Sequence, residues 1–216
     1  MSNTPVIVWF RHDLRLSDNP ALAEAAKQGP VLPVFIFDDK LDWQPGAANK
    51  WWLHYSLQTL RENLNQKYGA VLRTFKGDPK TLLPELVEKT GARHIFWNRY
   101  YHPETIARDK TIKTDLENQN IQVHAFNGCL MKEPWEIKNK EGSNFRVYTP
   151  FWKELQKHDI RQPLDAPHHL TPYTDNIDDD GLDALNLLPT IKWDDVMQQE
   201  WQPGEDGAEK RLSTFL

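Results

Sequence analysis

A doubly wound α/β fold is predicted by three features of this 216-residue sequence. Five apolar, β-rich runs recur between residues 6 and 126, helical patterns of crossover length separate them, and those helices carry recognisable caps. The runs are nearly continuous instead of alternating, which marks strands buried on both faces of a parallel sheet.

The first run, "VIVWF" (6–10), stops at "RHDLRL", and "SDNPAL" then opens a helix over 19–28. Ser17 or Asp18 can cap that helix, with Pro20 in its first turn and Gly29 at its end. "VLPVFIF" (31–37) is the second strand. The helix over 47–67 ends at Gly69, and "AVLRTF" (70–75) follows. Asp78-Pro79 opens a helix over 79–90 that Gly91 closes. "HIFWN" (94–98), a helix over 104–119 and "IQVHAF" (121–126) complete a five-stranded, Rossmann-like sheet with expected order 3-2-1-4-5.

After residue 127 the periodicity breaks, leaving turns and one short helix near 150–158. From "RQPLDAPHHL" onward Pro and Asp dominate, as in a linker that wraps a surface or spans between domains. "GEDGAEKRLSTFL" starts a further helix, with Ala208, Leu212, Phe215 and Leu216 on one stripe. The expected organisation is an α/β domain over 1–130, a linker over 131–203 and the start of another domain over 204–216. With little apolar content before it, about the last 12 residues are expected to fray or to borrow a contact from a neighbouring chain.

The net charge of −5 conceals a split: residues 165–216 carry −9 and residues 1–164 carry +4. Neither part has the dense Lys/Arg patch of a self-sufficient nucleic-acid binder, so no strong nucleic-acid binding by this chain alone is expected. No apolar run approaches the roughly 18 residues of a membrane span, and "MSNTPVIVW" lacks a secretory signal pattern. Cys129 is the only cysteine, which excludes an internal disulfide and makes a cytoplasmic setting the expectation. His168 and His169 are adjacent in a Pro-rich loop and do not have metal-ligand spacing.

In such a sheet, ligands bind beyond the carboxyl ends of the strands where strand order reverses. The tips there read "FRHD", "FIFDD" and "WNRYYHPE", mixtures of aromatic and polar groups that suit a flat, conjugated ligand better than a bare phosphate. Neither G-x-G-x-x-G nor G-x-x-x-x-G-K-[ST] is present, which argues against a free-standing nucleotide-binding protein.

At these residues the sequence resembles the DNA photolyase and cryptochrome family. "VWFRHDLRLSDNPAL" (8–22), "GDPKTLLPEL" (77–86), "FWNRYYHPETIARD" (96–109) and "RVYTPFWKEL" (146–155) carry the resemblance, in order and at the right spacing. It implies an N-terminal α/β antenna domain, followed by a linker and a helical domain that holds FAD. The implied activity is light-driven repair of pyrimidine dimers in damaged DNA, a DNA-repair lyase reaction, or blue-light signalling in cryptochromes. Because the implied FAD domain lies beyond Leu216, this chain alone is expected to be inactive.

The resemblance also implies an antenna chromophore: methenyl-tetrahydrofolate, an 8-hydroxy-deazaflavin or a second flavin such as FMN. Phe10 and Arg11 match cleft positions of the family motif, and Asp38 is the site candidate on the second strand tip. Asn49, Lys50 and Trp52 stand near where relatives often carry an arginine facing the antenna. Trp97, Asn98, Tyr100, His102 and Glu104 form the fourth tip. Deazaflavin-type relatives tend to carry two carboxylates where this sequence has Tyr100 and His102, while Glu104 stands near a contacting carboxylate of folate-type relatives. A folate is therefore favoured. Most of the nine tryptophans, including Trp9, Trp51 and Trp52, read as packing residues.

Overall fold

The computed structural model describes residues 4–41 and 44–216. Its centre is a five-stranded, fully parallel sheet in the order β3-β2-β1-β4-β5. The strands are β1 (Val6–Phe10), β2 (Val31–Phe37), β3 (Arg73–Lys76), β4 (His94–Asn98) and β5 (Gln122–Phe126). Val6 pairs with both Val31 and His94, so β1 is the middle strand and the strand order reverses beside it. The expected sheet and its order are the observed ones.

Because side chains alternate across a strand, one sheet carries two cores. Val6, Val8, Phe10, Phe35 and Phe37 face one side, with Leu22 of α1 (Pro20–Ala25) and Leu57, Leu60 and Leu64 of α2 (Ala47–Tyr68). Ile7, Trp9, Leu32, Val34 and Ile95 face the other, with Leu83 and Leu86 of α3 (Pro79–Thr90) and Ile112 and Leu116 of α4 (Pro103–Asn118).

Several boundaries differ from the sequence reading for local reasons. The cap of α1 is Asn19, whose side chain accepts from Leu22 N, while the Asp18 carboxylate accepts from Leu164 N. The helix also stops at Ala25, before Gly29. Asp78 caps α3 as expected, and Gly69 and Gly91 close α2 and α3 in the left-handed conformation. Strand β3 begins only at Arg73.

The segment beyond residue 127 wraps the sheet. It contains α5 (Tyr148–Leu155), a 3-10 turn at Asp183–Leu185, α6 (Asp195–Glu200) and α7 (Glu205–Phe215). Residues around Pro172 bridge to Val31, and Leu170, Leu185, Leu187 and Ile177 are buried against the two cores. Asp179 accepts from Thr74 N and Oγ1, and Asp180 accepts from Lys76 N, so two carboxylates take donors of the edge strand β3.

The expectation of a frayed C-terminus is corrected in part. Residue Glu205 of α7 bonds the β1–α1 loop, and Gly207 is buried. The apolar stripe beyond is open: Leu212, Phe215 and Leu216 are exposed. Among the described residues no helix is long and apolar enough to cross a membrane, and no group of three or more metal-ligating side chains converges.

Candidate functional site

The tips of β1, β2 and β4 and the first turns of α2 enclose a cavity of about 640 Å³. That is the scale of a pocket for a drug-sized ligand, and it lies at the switch point of the sheet. Trp9, Phe35, Phe37, Trp52, Leu53 and Tyr100 supply aromatic and aliphatic wall. Strand alternation brings Phe35 and Phe37 to the α2 side, and helical spacing puts Asn49, Trp52, Leu53 and Ser56 on one face of α2.

Four charged groups share the polar end. Arg11 ion-pairs with Asp109 and donates to the Asn98 carbonyl oxygen. Arg108 pairs with Asp38 at 2.7 Å and with Asp109 at 2.9 Å. Two cations thus neutralise two anions in one network, and single removal of any member would leave a buried charge uncompensated. Burial opposes the charge on Arg108, but the Asp109 and Asp38 carboxylates outweigh it and raise its pKa.

The Arg11 guanidinium lies 4.8 Å from the Trp9 ring centroid and 4.0 Å from that of Tyr100. The His12 ring also meets Tyr100, at 4.3 Å between ring centroids and a tilt of 42°. Burial drives the Tyr100 pKa far up, so its hydroxyl stays neutral. Partial burial of the His12 ring, reinforced by the Arg11 charge, pulls its pKa down, which leaves it neutral near pH 7. The resulting wall is aromatic and polarisable, with the Arg11 guanidinium and hydrogen-bonding groups at one end.

Of the residues singled out by sequence, Arg11, Asp38, Asn49 and Tyr100 line this cavity, and Phe10, Lys50, Trp97, Asn98, His102 and Glu104 do not. Phe10 points into the core beside Val6 and Val8. Trp97 stands behind Trp9, edge-on at 5.6 Å. Asn98 donates to Asp13 and Asn19 and accepts from Ala21 N, fastening the β4 tip to the β1–α1 loop. His102 is the N-cap residue of α4, and Glu104 is half-buried in its first turn.

Sequence reasoning missed Trp9, His12, Arg108 and Asp109 as neighbours of the cavity, whereas Trp52, grouped with Asn49 and Lys50 from the sequence, does line it. Arg108 and Asp109 were detectable in principle, because they sit one turn beyond Glu104 on a helix that leaves the β4 tip. Asp13 accepts from Arg11 N, while Arg15 donates to Ser17 O, Asp18 O and Gly128 O. Those bonds shape the loop that carries Arg11 and His12.

Comparison with known proteins gives a consistent picture. The chain is 41% identical, over its whole length, to a deoxyribodipyrimidine photo-lyase of Agrobacterium fabrum, of which it covers 45%. It is 33% identical over 97% of its length to cryptochrome-1 of Arabidopsis thaliana, covering 31% of that protein. The crystal structure of a class III photolyase from Agrobacterium tumefaciens superposes with a TM-score of 0.92 at 41% identity, matching all of this chain and 45% of that one. An archaeal photolyase from Sulfolobus tokodaii, described with two FAD molecules and an implied novel light-harvesting cofactor, superposes with a TM-score of 0.69 at 26% identity, over 87% of this chain and 42% of its own. The chain thus spans less than half the length of these relatives. A sequence profile described as DNA photolyase matches residues 6–168, and the chain belongs to that family.

Proposed function

We propose that this chain is the light-harvesting domain of a DNA photolyase, and that the cavity at the strand tips holds its antenna chromophore. The observation that carries this reading is the cavity itself: about 640 Å³, at the switch point, walled by Trp9, Phe35, Phe37, Trp52 and Tyr100. These residues fit a flat conjugated ligand. Trp52 and Tyr100 can sandwich or edge a ring system, Arg11 and Asp38 offer a donor and an acceptor at the polar end, and Asn49 offers both.

The favoured chromophore is methenyl-tetrahydrofolate, with an 8-hydroxy-deazaflavin and FMN as the alternatives. Tyr100 lines the cavity where deazaflavin-type relatives tend to carry a carboxylate, which supports the folate, whereas His102 and Glu104 stand outside the lining and add no support. When bound, such a chromophore supplies light absorption and passes excitation onward to FAD. The chain's own residues exclude water from the ring and fix its orientation; no proton or bond need change hands at the site. FAD, damaged DNA and dimer cleavage belong in this reading to the full-length protein. Within this reading residues 1–130 are the antenna domain, 131–203 the linker and 204–216 the start of the helical domain.

The cryptochrome relative supports a second reading, the corresponding domain of a blue-light photoreceptor. Both readings predict the same cavity chemistry. The test is a titration of the chain with the three chromophores side by side. The folate is expected to bind saturably and most tightly; tighter binding of the deazaflavin would overturn the assignment of Tyr100, and no binding of any of them would overturn the antenna reading.

A further inference from the structure

One wall of the cavity comes from far along the chain. Gly204, Glu205 and Ala208 complete its lining, although every other lining residue lies at or before Arg108. The Glu205 carboxylate accepts from Leu16 N at 2.7 Å through Oε2 and from Ser17 N at 2.8 Å through Oε1. These two amides end the β1–α1 loop, which also presents Arg11, His12, Leu14 and Arg15 to the cavity.

The approach to α7 is built for close contact. Gly204 has φ +101°, and a Cβ there would lie 2.7 Å from the Thr59 methyl carbon of α2. A Cβ on Gly207 would lie 1.8 Å from the Gln202 carbonyl oxygen. Trp201 meets the cavity-lining Trp52 at 5.7 Å between ring centroids. Thr59 Oγ1 of α2 donates to the Pro203 carbonyl oxygen, and neither core contains a residue of 201–216.

We propose that Glu205 is a positioning residue for the cavity, tying the docking of α7 to the shape of the β1–α1 loop and so to chromophore binding. A carboxylate holding two consecutive amides sets the loop in one conformation and charge-assists both bonds. Losing it would free the loop under His12 and Leu14 and remove the wall at Ala208 together. By linkage, whatever factor docking adds to ligand affinity, the ligand must add to docking.

The inference rests on the antenna reading, and its test separates the two. Amide exchange of Leu16 and Ser17 is followed with and without saturating methenyl-tetrahydrofolate, and folate affinity is measured for wild type and Glu205→Gln. The carboxamide keeps the size but offers one acceptor oxygen in place of two. The expected results are exchange slowed about tenfold by the ligand, and affinity lowered by a matching factor of about ten in the variant. Amides of β1 and β2 exchange equally in both proteins, which shows that the variant is folded. Folate binding to wild type without protection of Leu16 and Ser17, or with equal affinity in Glu205→Gln, overturns the coupling and leaves the antenna reading standing. Failure of wild type to bind any of the three chromophores overturns both.

Discussion

The body of the molecule, residues 6–126, and its tail, residues 158–216, are held by different forces. In the body, β1 is buried throughout, and two apolar cores flank the sheet. In the tail a few leucines and Ile177 reach those cores, and much of the remaining attachment is polar. Asp179 and Asp180 take amides of β3, Asp194 accepts from the Trp51 indole N–H at 2.9 Å, and Glu205 takes Leu16 N and Ser17 N. The acidity of the tail therefore has a structural use: carboxylates satisfy donors that the body leaves over. Apolar burial and polar attachment respond to different changes, so the two regions should part under different insults.

The largest effect is expected in the body. Leu22 has no exposed surface and packs between α1 and the sheet, so Leu22→Ala should cost about 2–5 kcal/mol in urea unfolding. A loss below about 1 kcal/mol would mean that the core relaxes around the cavity. Next comes the β3 edge. Asp179→Ala leaves the buried Thr74 N–H without its acceptor and should cost about 1–3 kcal/mol, with faster exchange at Thr74 and Lys76 and little change in β1. Equal loosening of β1 would show that tail and body unfold as one unit.

The strands could be read from sequence because burial on both faces writes itself as a local apolar run, and crossover helices fix their order. The tail could not be read the same way. Its contacts join residues more than a hundred positions apart, such as Asp194 with Trp51, and a single Asp in an acidic run carries no period that reveals its partner. The candidate site was partly legible for a related reason. Strand tips announce themselves where "VIVWF" meets "RHD", hence Arg11, Asp38 and Tyr100; Arg108 comes from a helix face whose inward side depends on packing. Phe10 was misjudged as a cleft residue because the last residue of a strand can face either way, and alternation with Val6 and Val8 turns it inward.

Acid should separate the regions. For Asp18, burial pushes the pKa up, but bonds from Arg161 and Leu164 N outweigh this and hold it below the usual value. The bond from Gln198 does most to lower Asp194, with help from Trp51. A depressed folded-state pKa means stability that is present above the unfolded value near pH 3.9 and is lost as pH falls through the folded value. Hydrogen exchange at pH 3 and pH 5 should therefore show the amides tied to these two carboxylates, Leu164 and the first turn of α6, losing protection at the lower pH while β1 and β2 keep theirs. Uniform loss would contradict the division. The smallest effect is expected at the far end of α7, where Phe215 is 86% exposed: Phe215→Ala should change stability of the isolated chain by no more than about 0.5 kcal/mol.

The central claim, that the strand-tip cavity is the chromophore site, is tested most directly by a crystal structure of the chain soaked with methenyl-tetrahydrofolate. The account predicts ring density between Trp52 and Tyr100, with its polar edge toward Arg11 and Asp38. Density in the groove between α2 and α7, or a cavity filled only by water while folate is bound elsewhere, would contradict it.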